Sequence, residues 1–170
     1  MQGFDGWRLP AAEVTFRTAC AEECIKKIHE ELPNMLLGAG TVLTVDQADR
    51  AMAAGASFIV APGFDPEVCK HVIDKGGIMM PGTATSGEMQ QAMNMGCEVV
   101  KFFPAEANGG VDKLKNIGAA LKSCKWMCTG GVNAKNVNNY LATTRLLLSA
   151  APGCASPTRS RPAHGMRSPP

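Results

Sequence analysis

Short apolar segments alternate with helix-like segments along most of this chain. Six such segments end in Gly, Pro or Thr, and their centres recur about every 20–26 residues. An alternation this regular is typical of βαβ units, in which parallel strands form one sheet and helices cover it. The segments are apolar throughout, as is usual for strands covered on both faces. The sequence therefore predicts an α/β fold with a parallel sheet.

The pattern also sets the expected limits of each element. Strands are expected at residues 11–16, 35–41, 57–61, 77–80, 98–103 and 125–129. Helices are expected at residues 19–31, 46–54, 66–74, 86–94, 111–121 and 134–141. Repeated βα units form either an open doubly wound sheet or a closed barrel. Length and unit count alone favour the open sheet, because a closed barrel typically has eight strands and about 200–250 residues or more.

Charge divides the chain into two parts. Residues 1–142 contain all 15 acidic residues, whereas residues 143–170 contain four arginines and neither lysine nor acid. Five of the 11 prolines also lie in this last part. We therefore expect a folded domain over residues 9–142, preceded by an unmatched segment, residues 1–8. The Pro/Arg/Ala/Ser-rich residues 143–170 are interpreted as a disordered tail or as a frameshifted reading of a GC-rich gene.

Composition excludes several classes of protein and of partner. Apolar residues make up 45% of the chain and charged residues 19%, as in ordinary globular domains. The sequence contains neither the roughly 18 uninterrupted apolar residues of a membrane-spanning helix nor a signal-peptide pattern, so a cytoplasmic protein without a membrane partner is expected. The four arginines of residues 143–170 have no aromatic neighbours, so no nucleic-acid partner is expected. The seven cysteines and three histidines show no zinc-site spacing, and no metal is expected.

A lysine in the middle of an apolar strand is the strongest chemical signal. Lys101 lies between two valines and two phenylalanines. In a strand covered on both faces, its ammonium group loses contact with water, which lowers the pKa of the lysine. A lysine that is neutral near pH 7 attacks carbonyl carbon and forms a Schiff base. The alternative is an edge strand, from which the lysine side chain reaches solvent.

The first strand carries a second polar group of residues. Strand periodicity puts Glu13, Thr15 and Arg17 on one face, near the carboxyl end of the strand. Parallel α/β enzymes place their active sites at that end. A carboxylate there can move protons, and a guanidinium can hold a substrate carboxylate. The alternative is a structural Glu–Arg pair.

Two glycine-containing strand ends are weaker signals. Gly38-Ala39-Gly40-Thr41 offers small residues, which let a ligand approach the backbone. Thr129-Gly130-Gly131 runs into the start of a helix, where exposed backbone N–H groups suit a phosphate. Each motif alone is more often a simple turn.

Together these segments resemble one family. The chain is similar to the class I aldolases of 2-keto-3-deoxy-6-phosphogluconate (KDPG) and 4-hydroxy-2-oxoglutarate (KHG). The likeness is carried by EVTFRT (13–18), GAGTVLT (38–44), VAPGFDP (60–66), VVKFFPAEANGG (99–110) and TGGVN (129–133). Their order and spacing run unbroken over residues 9–142. The resemblance implies a parallel (β/α)8 barrel of the TIM type, incomplete here with about six βα units, that forms a homotrimer and uses no cofactor or metal.

The resemblance also implies a role for each matching residue. Lys101 corresponds to the Schiff-base lysine and Glu13 to the general acid/base. Arg17 and Thr41 correspond to ligands of the pyruvate carboxylate. The remaining implied substrate-binding residues are Phe103, Pro104, Thr129, Gly130 and Gly131, the two glycines through N–H groups facing a phosphate. The implied substrates are small keto acids and aldehydes: KDPG, cleaved to pyruvate and glyceraldehyde 3-phosphate, and KHG, cleaved to pyruvate and glyoxylate.

The chain departs from the family pattern at both ends. The match begins at what corresponds to the second strand of the family and is expected to stop before the eighth, although Leu146-Leu147-Leu148 has the composition of a short strand. Without the first and eighth strands, the expected barrel has a gap and two unpaired edges. Three interpretations therefore stand: an aldolase, an inactive truncated fragment of one, and another phosphate-binding barrel enzyme such as an isomerase. The third leaves Lys101 unexplained.

Overall fold

Strands and helices alternate in the structure as the sequence pattern predicts. The structure, a computed structural model, describes residues 11–143 and 146–150. The strands are β1 Ala11–Thr15, β2 Leu36–Gly40, β3 Phe58–Val60, β4 Ile78–Met80, β5 Gly82–Thr83, β6 Val99–Phe102, β7 Lys125–Thr129 and β8 Leu146–Ala150. The helices are α1 Ala21–Glu31, α2 Val45–Ala53, α3 Pro66–Asp74, α4 Ser86–Asn94, α5 Gly110–Ala120 and α6 Val137–Leu141.

All observed strand pairs are parallel and lie in two four-stranded sheets. One sheet has the order β1-β2-β3-β4, and the other has the order β5-β6-β7-β8. Within the described residues, β1 and β8 each pair on one side only, so this part of the chain forms an open arc of a barrel. The α/β class and the parallel strands are as predicted, and the barrel is incomplete.

Pro81 connects the two sheets. The sequence pattern ends the fourth strand at this proline, but the chain continues as β5 after a single residue. Proline has no N–H group for a strand ladder, whereas its carbonyl oxygen still accepts a hydrogen bond from Lys101 N at 2.8 Å. Pairing therefore passes from β3 on one side of the proline to β6 on the other.

A further strand lies beyond the predicted domain. The sequence analysis places an irregular tail from residue 143, but Leu146–Ala150 pairs in parallel with β7. A run of three leucines has the composition of a strand, and the prolines of this part begin only at Pro152. Thus a strand stands beside β7, where the eighth strand of the family was expected to be missing. The segment at residues 1–8 and the tail at residues 151–170 lie outside the described residues.

Alternation along the strands sends side chains to two hydrophobic cores. The larger core lies between the sheets and the helices and includes Ile59, Val100 and Trp126. The smaller core lies on the opposite, inner face of the strands, where Phe58, Val60 and Met127 pack with Met80 and Val99. Because alternate residues point to opposite faces, Lys101 shares the inner face with Val99.

Polar side chains cap the N-termini of several helices. Asp65 accepts hydrogen bonds from the N–H groups of Glu67 and Val68 at the start of α3. Thr85 and Glu88 form a reciprocal capping box at the start of α4. Among the described residues, the helices all fall short of the length and apolar content needed to cross a membrane.

Candidate active site

Lys101 is buried in the middle of β6, as the sequence predicts. Lys101 is 7% exposed, and it is paired with Met127 in the register between β6 and the neighbouring strand β7. Burial lowers the pKa of Lys101, the nearby Glu13 carboxylate opposes this shift, and the Arg17 guanidinium adds to it. The structure thus places Lys101 within electrostatic range of the two charged residues of the first strand segment.

Glu13 reaches this region because the adjacent strand carries a glycine. Glu13 pairs with Gly38 in the sheet, and its side chain extends over Gly40. A Cβ atom at Gly40 would overlap the Oε1 atom of Glu13. Gly38 likewise leaves room for the ring of Phe58. These glycines therefore hold space for specific side chains on the inner face, a role that the sequence pattern alone did not indicate.

Arg17 and Thr41 lie just beyond the carboxyl ends of β1 and β2. The Arg17 N–H group donates to the carbonyl oxygen of Thr15 at 2.9 Å, which turns the chain at the end of β1. The strand alternation that the sequence analysis extended to Arg17 therefore ends at Thr15. Thr41 has a φ of 60°, in the left-handed region that threonine rarely adopts. A strained backbone at the end of a strand is a common feature of functional sites.

Phe103 and Pro104 continue β6 beyond the lysine. Lys101 Nζ lies 4.8 Å from the centroid of the Phe103 ring, a cation–π distance when the amine is charged. The Phe103–Pro104 peptide bond is cis. A Cβ atom at Gly130 would lie 2.9 Å from Pro104 Cα, so Gly130 packs directly on this turn.

Thr129 lies at the end of β7, next to the turn that follows Lys101. Its carbonyl oxygen accepts a hydrogen bond from Ala105 N at 2.8 Å. Its Oγ1 atom is buried and has no hydrogen-bond partner among the described residues. A buried hydroxyl without a partner is costly and suits a site that a polar ligand completes.

Comparison with known proteins identifies the family. A family model for the KDPG and KHG aldolases matches residues 6–154. The chain belongs to this aldolase family. The match continues past residue 142, where the sequence analysis expected the likeness to stop, and includes β8.

Relatives named as aldolases support the same assignment. The 2-dehydro-3-deoxy-phosphogluconate aldolase of Treponema pallidum is 45% identical over 135 residues, which are 79% of this chain and 64% of that protein. The KHG/KDPG aldolase of Escherichia coli K12 is 38% identical over 79% of this chain and 63% of its own length. The chain thus spans slightly less than two thirds of the length of these aldolases.

Solved aldolase structures share the fold. The KDPG aldolase of Legionella pneumophila, captured with pyruvate as a covalent carbinolamine intermediate, superimposes with a TM-score of 0.79 at 35% identity. The superposition covers 82% of this chain and 68% of that one. The expected fold of an incomplete aldolase barrel is confirmed.

The structure shows two polar contacts to residues 99–110 that the sequence analysis did not predict. Thr83 Oγ1, buried in β5, donates to the carbonyl oxygen of Lys101 at 3.2 Å. Tyr140 of α6 donates its hydroxyl proton to Glu106 Oε1. Burial and then the Glu106 carboxylate raise the pKa of Tyr140. Glu106 stands inside the quoted aldolase segment, but its partner lies 34 residues further along the chain, so no local pattern reveals the contact.

Proposed function

We propose that this chain is a class I aldolase that acts through a Schiff base at Lys101. Its substrates are KDPG, cleaved to pyruvate and glyceraldehyde 3-phosphate, and KHG, cleaved to pyruvate and glyoxylate. The observation that carries the proposal is a buried lysine with a lowered pKa, close to one carboxylate and one guanidinium. Membership of the family and the carbinolamine trapped in the Legionella aldolase support it.

Imine formation needs a neutral amine and a proton shuttle. Desolvation keeps a larger fraction of Lys101 neutral than in water. The Lys101 nitrogen attacks the keto carbon of the substrate and gives a carbinolamine. Glu13 then delivers a proton to the carbinolamine hydroxyl, which leaves as water, and the protonated imine remains.

Carbon–carbon cleavage follows from the electron demand of that imine. The Glu13 carboxylate, having given up its proton, removes the proton of the C4 hydroxyl, the C3–C4 bond breaks, and its electron pair moves into the imine to give an enamine. The aldehyde product is released at this step. Glu13 returns a proton to C3 of the enamine, and water then hydrolyses the imine to pyruvate and free Lys101.

The substrate is held by the remaining site residues. Arg17 and Thr41 are proposed to bind the carboxylate next to the keto carbon, since a guanidinium pairs with a carboxylate through two hydrogen bonds. Phe103 and Pro104 form the wall beside Lys101, and Thr129 supplies its unpartnered hydroxyl. Gly130 and Gly131 present N–H groups to the phosphate of KDPG. As in the family resemblance, the proposed assembly is a homotrimer.

Borohydride trapping with pyruvate tests the proposal. The chain is incubated with pyruvate, reduced and examined by intact mass and peptide mapping. Lys101→Arg is the test variant and Lys125→Arg the matched control, because Lys125 is an exposed lysine on the adjacent strand. We expect one reduced pyruvate adduct, on Lys101, in the unmodified chain and in the control only.

Other outcomes distinguish the alternatives. A chain that unfolds cooperatively but gives no adduct is an inactive fragment, in which the open barrel fails to assemble the site. An adduct on a different lysine contradicts the assigned role of Lys101. An adduct on Lys101 excludes an isomerase that has no use for an imine.

A further inference from the structure

Gly130 and Gly131 form a turn whose conformation depends on contacts from outside. Their φ angles are 91° and 84°, so two successive residues occupy the region of positive φ. Glycine adopts such angles without steric cost but does not enforce them. The turn therefore needs other residues to fix the direction of its peptide groups.

The segment that follows Lys101 supplies two of these contacts. Ala105 N donates to the carbonyl oxygen of Thr129 at 2.8 Å, and Glu106 N donates to that of Gly130 at 3.0 Å. A trans peptide group is planar, with its C=O and N–H pointing in opposite directions. Fixing these two carbonyl oxygens therefore points the N–H groups of Gly130 and Gly131 away from Ala105 and Glu106.

The Glu106 side chain supports the second glycine directly. A Cβ atom at Gly131 would lie 2.6 Å from Glu106 Cγ and 2.7 Å from Glu106 Cβ, so the glutamate stem packs on that backbone. The carbonyl oxygen of Gly131 accepts hydrogen bonds from the side-chain amides of Asn133 at 3.0 Å and Asn136 at 3.1 Å. The two asparagines thus fix the following Gly131–Val132 peptide group, while the glutamate stem packs on Gly131 itself.

Tyr140 in turn fixes Glu106. The tyrosine is fully buried, and its hydroxyl group donates to Glu106 Oε1. The two residues form part of the wall of an open crevice of about 660 Å³ between α5 and α6. This hydrogen bond directs the Glu106 carboxylate toward α6, while the Cβ and Cγ atoms of Glu106 pack on Gly131.

We propose that Glu106, held by Tyr140, is a positioning residue that orients the N–H groups of Gly130 and Gly131 toward the substrate phosphate. It thereby favours phosphorylated over unphosphorylated keto acids. This inference rests on the proposed aldolase function. It concerns binding of the phosphate, whereas Glu13 and Lys101 carry the bond-breaking steps.

Steady-state kinetics with KDPG and KHG test the inference, because only KDPG carries a phosphate. For Tyr140→Phe and Glu106→Ala we expect KM for KDPG to rise about tenfold with little change in kcat. KM for KHG and the rate of pyruvate trapping should remain within about twofold of the unmodified chain. Glu106→Gln should restore most of the KDPG affinity, because its amide keeps the stem and bonds with Tyr140. Glu98→Gln, at an exposed carboxylate outside the site, is the control.

A second readout separates this inference from the proposed function. Inorganic phosphate is titrated while the backbone amide ¹⁵N signals of Gly130 and Gly131 are followed by NMR. We expect both signals to shift, with about tenfold weaker binding in Glu106→Ala. If the unmodified chain fails to trap pyruvate, the proposed aldolase function is contradicted. The phosphate titration still tests the positioning role of Glu106 in that case. Equal losses for KDPG and KHG, or phosphate binding that is unchanged in Glu106→Ala, would overturn the positioning role.

Discussion

Gly40 shows how an absent side chain serves the candidate site. The space above its Cα atom is filled by the carboxylate of Glu13, the end of a flexible side chain. A methyl group there displaces the carboxylate without forcing the backbone to move. Site geometry and fold stability therefore respond differently to the same change.

We predict that Gly40→Ala lowers the rate of pyruvate trapping at Lys101 at least about tenfold while unfolding free energy changes by about 1 kcal/mol or less. Gly63→Ala is the matched control, since a Cβ atom at Gly63 meets nothing within 4 Å. Trapping rates and urea denaturation of both variants provide the measurement. A Gly40→Ala chain that traps pyruvate at the normal rate would show that Glu13 does not act from this position.

The charges around Lys101 predict opposite changes in its pKa. Burial lowers this pKa, Glu13 raises it and Arg17 lowers it. Glu13→Gln should therefore lower the pKa of Lys101 further, and Arg17→Met should raise it. The rate of reductive methylation of Lys101 against pH reports the neutral amine without using the catalytic role of Glu13. Its midpoint should move down in the first variant and up in the second, and identical midpoints would contradict the proximity of the three residues.

At the scale of elements, four of the six expected helix ends but only two of the six expected helix starts coincide with those of the structure. The expected helix at residues 86–94 coincides with α4, and the structure shows that Thr85 and Glu88 form a capping box at its start. Such signals act over three or four residues and are visible in any single sequence. The passage of the chain from β4 to β5 was missed because it depends on which strands lie on either side of Pro81.

We predict that Thr85→Ala destabilises the chain by about 1 kcal/mol, since the side chain of Thr85 accepts the Glu88 N–H bond at the start of α4. Ser86→Ala, one position along and outside the box, should change the unfolding free energy by less than about 0.5 kcal/mol. Urea denaturation of both variants measures the difference. Equal effects at the two positions would mean that the capping box contributes nothing to stability.

At the scale of the whole molecule, local signals predicted the order of strands and helices but could not decide between an open doubly wound sheet and part of a barrel. The family segments supplied the candidate site residues, and the structure brings Glu13, Arg17 and Lys101 into electrostatic range. The leucines at 146–148 had the composition of a strand, but the pairing of this segment with β7 and the contact of Tyr140 with Glu106 could not be predicted, because both depend on residues distant in sequence. Contacts between residues that are distant in the chain cannot be inferred from the local pattern of a single sequence.

The open arc leaves apolar residues exposed on the inner face. Leu36 is 50% exposed and Ile78 is 53% exposed, on the strands either side of Phe58. We predict that Leu36→Gln combined with Ile78→Gln weakens self-association about tenfold, because exposed apolar patches promote association. Leu43→Gln, at a leucine that is 55% exposed in a loop, is the control. Sedimentation velocity over a concentration series measures the effect, and an unchanged distribution would exclude this face from self-association.

Pro81 separates the two sheets that carry the charged residues of the candidate site. Glu13 belongs to the sheet that ends before this proline, Arg17 follows the first strand of that sheet, and Lys101 belongs to the sheet that begins after the proline. The proposed nucleophile and the proposed proton shuttle thus come from separate sheets, which the chain joins at Pro81. The proposed reaction therefore requires both sheets to be folded and correctly aligned with each other, because neither sheet alone carries both groups.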